Sequence, residues 1–451
     1  MGQLGANALK PTGLLMGLAA AVLLASCEKE ENILQGEREG IRDVLSTAQA
    51  RTEADTPPPP ETPPPLALPA ARANTDWPQR LGTPATRVAH PALGGNVAHA
   101  WSVNIGAGDG KRVRITADPV VAEGRIFTLD AQARVSGVST DGELLWTADL
   151  VPPGERASDA SGGGLAYGDG TLFVSSAFGL VTGLDATTGE ILWQQDLGAT
   201  GSGSPVVKGG LVYLVAGDEV AWALDTQTGR IEWRLSATPN VNNVLGGPAP
   251  AVTDKYVIFA FGTGEVQGAF RKGGLRLWDA YIAGERLGIS HAKVADVTGD
   301  PVVQGDRVFV GTHAGRMVAL GLADGERLWT AKEGPLNRVW PAGDSIFLVS
   351  DRNELLRLSA ETGAELWARQ MPVFTKDKPK RQTEIFAHHG PVIAGGQLIV
   401  ASSDGQLRFF DPETGAPRGA VAMRGGATTN PVVAGQTLYV VTSDGQLHAF
   451  R

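Results

Sequence analysis

A glycine followed four positions later by a tryptophan recurs along this chain as Gly142–Trp146, Gly189–Trp193, Gly229–Trp233, Gly274–Trp278, Gly325–Trp329 and Gly363–Trp367. An apolar stretch such as 301–320 precedes each pair. A period of roughly 40–50 residues built from short strands marks a repeat fold and outranks local signals. Within one repeat, Pro301-Val-Val opens an inner strand and Arg307-Val-Phe-Val-Gly a second, with β-branched and aromatic residues alternating. Met317-Val-Ala-Leu is a third, and Arg327-Leu-Trp-Thr a fourth. Asp-Gly and Thr-Gly pairs supply the positive φ that tight hairpins need. Four-stranded units of this length stack radially into a β-propeller.

Inner strands are predicted near Pro119, Leu165, Pro205, Pro248, Pro301, Pro341, Pro391 and Pro431, so the fold class is all-β: an eight-bladed propeller of four-stranded antiparallel blades. The last unit ends at Phe450-Arg451 without its tryptophan strand. The segment from Ala98 to Ile105, with Trp101, resembles the Trp146 strand, so the N-terminal strand is expected to close the eighth blade. Closure removes an unpaired edge. Trp101, Trp146, Trp193, Trp233, Trp278, Trp329 and Trp367 are expected to pack between neighbouring blades, burying large apolar surfaces. One blade departs from the pattern, with Gly419 where tryptophan is expected. That interface should be weaker.

The ends of the chain point to export. Residues 1–26 read as a lipoprotein signal peptide, with Lys10 as the only charge before the apolar run Leu14–Leu24, which is too short to span a bilayer. Leu24-Ala-Ser-Cys27 matches a bacterial lipobox, and Cys27, the only cysteine, is the expected site of lipidation (palmitate-type acylation). A single cysteine also allows no intrachain disulfide. Glu28 follows Cys27 in place of the aspartate that retains many such proteins at the inner membrane, which favours the periplasmic face of the outer membrane. Residues 27–74 read as a lipid-anchored flexible tether whose proline run (56–65) is a polyproline II spacer, and residues 75–451 as the propeller.

The formal net charge is −9, and one more negative once Lys10 is removed. With no lysine or arginine run, nucleic acid is an unsuitable partner. The densest basic patch, Lys376–Arg381, lies in a long connector and reads as a solvated loop, with a contact to a partner or an anionic headgroup as the alternative. The sequence carries little that resembles a catalytic set. Glu384 and His388 stand four apart, but the segment leads into a strand, so no metal site is assigned. The glycine runs at Ser161–Gly164 and Gly262–Glu265 lack the following helix that a phosphate cradle needs. No catalytic residue, metal or cofactor is assigned.

The eight-fold repeat with its outer-strand tryptophan resembles two families. One is the quinoprotein dehydrogenases, which hold pyrroloquinoline quinone and calcium in the central channel. The other is the BamB-like propeller lipoproteins of the outer-membrane β-barrel assembly machinery. The lipobox and tether, the minimal ring and the absence of a cysteine pair favour the second, and the stretch Asn430–Phe450 looks like that family's ending. The resemblance implies a non-enzymatic scaffold, monomeric within a hetero-complex. Its partners would be the POTRA domains of the BamA-type barrel-inserting protein and other assembly lipoproteins. A sensor or polysaccharide-binding propeller is a further alternative.

Topology places the longest connectors (151–163, 236–247, 283–300 and 371–390) on one face, with tight turns on the other. Binding residues concentrate on loops displayed by a rigid frame, so the connector face is the expected working face. In the resembled family, the connectors after the third and fourth blades touch the POTRA domains. Here this implies Val244 and Leu245 as apolar anchors and Asp296 as an acidic contact. An arginine expected beside the leucines is absent from 241–247, and Thr298 stands where a second acid would be.

Overall fold

The computed structural model describes residues 59–60, 62–199, 203–238, 247–282 and 297–451. They form eight four-stranded antiparallel sheets arranged as the blades of a propeller. Blade 1 runs from strand Val120–Ala122 to Leu144–Asp149, blade 2 from Gly163–Gly168 to Ile191–Asp196, and blade 3 from Val206–Lys208 to Ile231–Ser236. Blade 4 runs from Ala251–Val252 to Arg276–Tyr281, blade 5 from Val302–Gln304 to Arg327–Ala331, and blade 6 from Trp340–Ala342 to Glu365–Gln370. Blade 7 runs from His388–Ala394 to Pro417–Ala422. The second and third strands are buried almost throughout, whereas the outer strands alternate, as a half-solvated strand must.

Blade 8 has inner strands Val432–Ala434, Thr437–Thr442 and Gln446–Phe450, and its outer strand is His99–Asn104. Trp101 pairs with Ala449 and Ser102 with His448. The ladder continues past the strand ends, with Ala98 N donating to Arg451 O at 2.7 Å and Arg451 N to Ala98 O at 2.9 Å. The expected closure by the N-terminal strand is therefore present.

The recurring glycine and tryptophan meet across blade boundaries, not within their own hairpin. Trp101 of blade 8 lies over Gly142 of blade 1, Trp146 over Gly189, Trp193 over Gly229, and so on round to Trp367 over Gly415. At Gly142 a Cβ would stand 2.8 Å from the Trp101 ring, and its φ of +91° suits glycine alone. Each turn therefore needs glycine both for its backbone and for the flat indole above it. Four indoles also donate to a backbone carbonyl in the next blade: Trp146 to Ala186, Trp193 to Thr226, Trp278 to Leu322 and Trp329 to Ala360.

The exception at blade 7 has a structural reason. Blade 8 has no turn joining its third and outer strands, because its outer strand comes from the N-terminal side. With no turn glycine to cover, a tryptophan in the outer strand of blade 7 would have no partner. Instead, Gly419 pairs with Phe409, reversing the arrangement in blades such as 1 and 2, where glycine on the third strand (Gly137, Gly183) faces the tryptophan. The aromatic has moved one strand inward and remains buried.

Candidate functional site: a plugged channel and the connector face

The innermost strand of each blade turns an unpaired edge toward the central channel, and such edges recruit any extended chain within reach. In this protein, residues 74–91 fill that role in a circuit of the tight-turn end. Asn74 Nδ2 donates to Val433 O of blade 8 at 2.7 Å. Trp77 exchanges two backbone hydrogen bonds with Val121 of blade 1, at 2.7 and 2.9 Å. Tyr167 N of blade 2 donates to Pro78 O, and the Gln79 side-chain amide makes a two-way bond with the Val207 backbone of blade 3. Val252 N of blade 4 and Val303 N of blade 5 donate to Pro84 O and Ala85 O. Arg87 stacks 4.3 Å over the Trp340 ring of blade 6. Gly395 N of blade 7 donates to Pro91 O, and Gly396 N to His90 Nε2. The circuit closes on itself where Arg72 meets Pro91.

Part of the stretch expected to be spacer lies against this end of the ring. Arg357, fully buried, donates to Pro64 O at 2.8 Å and to Glu413 O at 3.1 Å. Leu66 and Leu68 pack on the largest core cluster. Arg357 occupies the cross-strand position opposite Trp367 that glycine fills in blades 1 and 2.

From the plug, Arg80 reaches into the channel. Its Nε lies 3.0 Å from Asp300 and its Nη1 2.7 Å from Ser204 Oγ. Arg338 pairs with Asp118 and, at 3.2 Å, with Asp300, and donates to Arg80 O at 2.7 Å. Asp118 also accepts from the backbone and side-chain nitrogens of Asn430, and Asp300 from Ala249 N. Blades 1, 3, 4, 5, 6 and 8 are thereby tied across the channel. Burial by itself would raise the Asp118 pKa, but Arg338 and Arg80 outweigh it and hold the carboxyl below its usual range. Burial, reinforced by Arg338, pushes the Arg87 guanidinium well down. Its Nε and Nη1 have no hydrogen-bond partner, and the faces of Trp340 and Trp77 serve in their place.

Above this floor, a cavity of about 260 Å³ opens on the connector face. Thr116, Thr298, Asn337, Thr428 and His389 line it, together with Arg80 and Asp118. Burial drives the His389 pKa down to about 4, with His388 and Arg338 adding to the fall and Asp118 opposing it. Thr298 turns its hydroxyl to Pro335 O at 3.2 Å. A quinone with its calcium does not fit this floor, because Asp118 and Asp300 are committed to guanidinium and amide donors, and Glu219, which also lines the cavity, accepts from Gly262 N at 2.9 Å. Among the described residues, no group of three His, Cys, Asp or Glu is placed to hold a metal ion.

Each of the seven repeat tryptophans lies over a turn glycine of the neighbouring blade. Cys27, Val244, Leu245 and Asp296 lie outside the described residues. His388 falls within a strand, bonded to Ser402 Oγ and Pro372 O. Sequence reasoning missed the plug and the arginine–aspartate floor. The available signals were a tryptophan and two arginines (Trp77, Arg80, Arg87) in a stretch without strand periodicity, and the Asp-Pro pairs at 118–119 and 300–301.

A family model described as outer membrane protein assembly factor BamB matches residues 131–369 and 375–451. Outer membrane protein assembly factor BamB of Shewanella oneidensis is 26% identical over 335 residues, 72% of this chain and 81% of that protein. The dehydrogenase subunit of a quinone alcohol dehydrogenase from Gluconacetobacter polyoxogenes is 26% identical over 273 residues, 54% of this chain but 36% of that protein. Among solved structures, BamB from Moraxella catarrhalis superposes with a TM-score of 0.65 at 16% identity, covering 79% of this chain and all of the other.

Proposed function

Because the chain belongs to the outer membrane protein assembly factor BamB family, we propose that it is a non-enzymatic scaffold of the outer-membrane β-barrel assembly machinery. In this reading Cys27 carries the lipid that anchors it to the periplasmic face of the outer membrane. The connector face docks on the POTRA domains of the barrel-inserting protein, with Val244 and Leu245 as apolar anchors and Asp296 as the acidic contact. The propeller acts as one copy within the hetero-complex and holds the partner in a geometry that assists folding and insertion of outer-membrane proteins.

The observation that carries the reading is the plug. The chain fills one mouth of its own channel and neutralises Asp118 and Asp300 with its own arginines. A ring occupied in this way offers its loops as working surface, and loops on a rigid frame are suited to recognising a partner. The test is co-purification from cells with the barrel-inserting protein. A Leu245→Asp, Asp296→Arg double variant should fold as the parent does and lose the partner. Undiminished recovery would remove the docking proposal.

A further inference from the structure

The connector between blades 6 and 7 is a rooted finger. Its base is fixed by His388 Nε2 against Pro372 O at 2.8 Å, by Asn353 Nδ2 donating to Phe386 O at 3.1 Å, and by Ala387 N donating to Ser403 Oγ at 2.9 Å. Its two arms then pair: Phe386 N donates to Val373 O at 2.8 Å, and Thr375 N to Glu384 O at 3.0 Å. Phe374 and Ile385 lie opposite each other on these arms, 41% and 53% exposed. Beyond them a single 3-10 turn, Pro379–Arg381, forms the tip. Lys376, Lys378, Lys380 and Arg381 cluster there, with Asp377 as the one acid among them, on a chain whose overall charge is −9.

We infer that this finger is a second docking element, which inserts its cationic tip against an acidic protein surface and buries Phe374 and Ile385 on an apolar patch beside it. The inference rests on the scaffold reading above and adds a contact chemistry to it. The order of residues along the finger selects a protein over a membrane. A membrane-inserting loop carries its apolar residues at the tip and its cations behind, where the headgroups lie. Here the cations lead and the apolar pair follows. The complement is therefore a surface with carboxylates at depth and an apolar shoulder, as in a groove between small domains. The hydrogen-bonded root means that little ordering entropy is lost on docking, and the tip charges steer encounter at low salt.

The test uses the full mature chain and the soluble periplasmic domains of the barrel-inserting protein from the same organism, with affinity measured at two salt concentrations. One variant reverses the tip (Lys376→Glu, Lys378→Glu, Lys380→Glu, Arg381→Glu), and a second removes the apolar pair (Phe374→Ser, Ile385→Ser). Both should melt as the parent does, because all six side chains are exposed. Each should weaken binding at least about tenfold, and the tip variant should also lose most of the salt dependence. Parental binding by both variants would overturn the finger while leaving the scaffold reading intact. Failure of the unaltered chain to bind would remove the scaffold reading and the finger with it. Sedimentation with vesicles of phosphatidylglycerol and phosphatidylcholine, lost in the tip variant, would reassign the finger to a lipid surface. Concentration-dependent self-association abolished by the same variant would reassign it to a second copy of this chain.

Discussion

His389 shows how much one channel-lining residue can report. It lines the cavity beside Asp118, with its pKa brought down to about 4 by burial and by the neighbouring His388 and Arg338. An unfolded histidine titrates near 6.5. Between these values the unfolded chain binds a proton that the folded ring refuses, so stability rises with pH across that window and is lost as pH falls from about 6.5 toward 4. The loss is on the order of 1–3 kcal/mol, reduced from the full shift because the ring borders a cavity open to water. Urea unfolding at several pH values should show this slope in the parent chain and a shallower one in His389→Gln. Equal slopes would mean that the imidazole charges without penalty.

Whole elements explain the departures from the repeat. In blade 7 the tryptophan is missing where the turn it would cover in blade 8 does not exist. Gly419 also has φ +149°, a backbone conformation that side-chain-bearing residues avoid. Restoring the consensus by Gly419→Trp should therefore destabilise the ring, by about 1–3 kcal/mol, although it restores the repeat pattern. A rise in melting temperature would refute the pairing rule. The plug makes the opposite prediction. Trp77 is 1% exposed and bonded to blade 1 through its backbone. Trp77→Ala should cost about 3–5 kcal/mol, the range for emptying an aromatic site in a core. It should also open residues 72–92 to limited proteolysis ahead of the blades. Cleavage beginning in the blades would mean that the segment contributes nothing to closure. The strands were readable because a two-residue alternation and turn glycines repeat with each blade, so each repeat corroborates the others. The plug occurs once and pairs through backbone at scattered points (Asn74, Trp77, Pro78, Pro84, Ala85 and Pro91), a geometry without periodicity. The floor was hidden for a related reason: Arg80, Asp118, Asp300 and Arg338 are distant in sequence and meet only when the ring closes.

At the scale of the molecule, the two ends of the channel differ in kind. One is filled by the chain's own N-terminal segment, which binds the blades to one another. The other opens a polar cavity among long connectors, next to a rooted cationic finger. The ring count and its closure could be derived from sequence. The division of labour between the faces could be derived only in part, since loop length marks a face but not its chemistry. Partner contact is proposed on the connector face. Hydrogen–deuterium exchange of the mature chain, with and without the periplasmic domains of the barrel-inserting protein, tests that placement most directly. Protection is predicted in segments 236–247, 283–300 and 373–386, with no change at the tight turns around Gly142, Gly189 and Gly229. Protection confined to those turns and the plug, with the connectors unaffected, would contradict it.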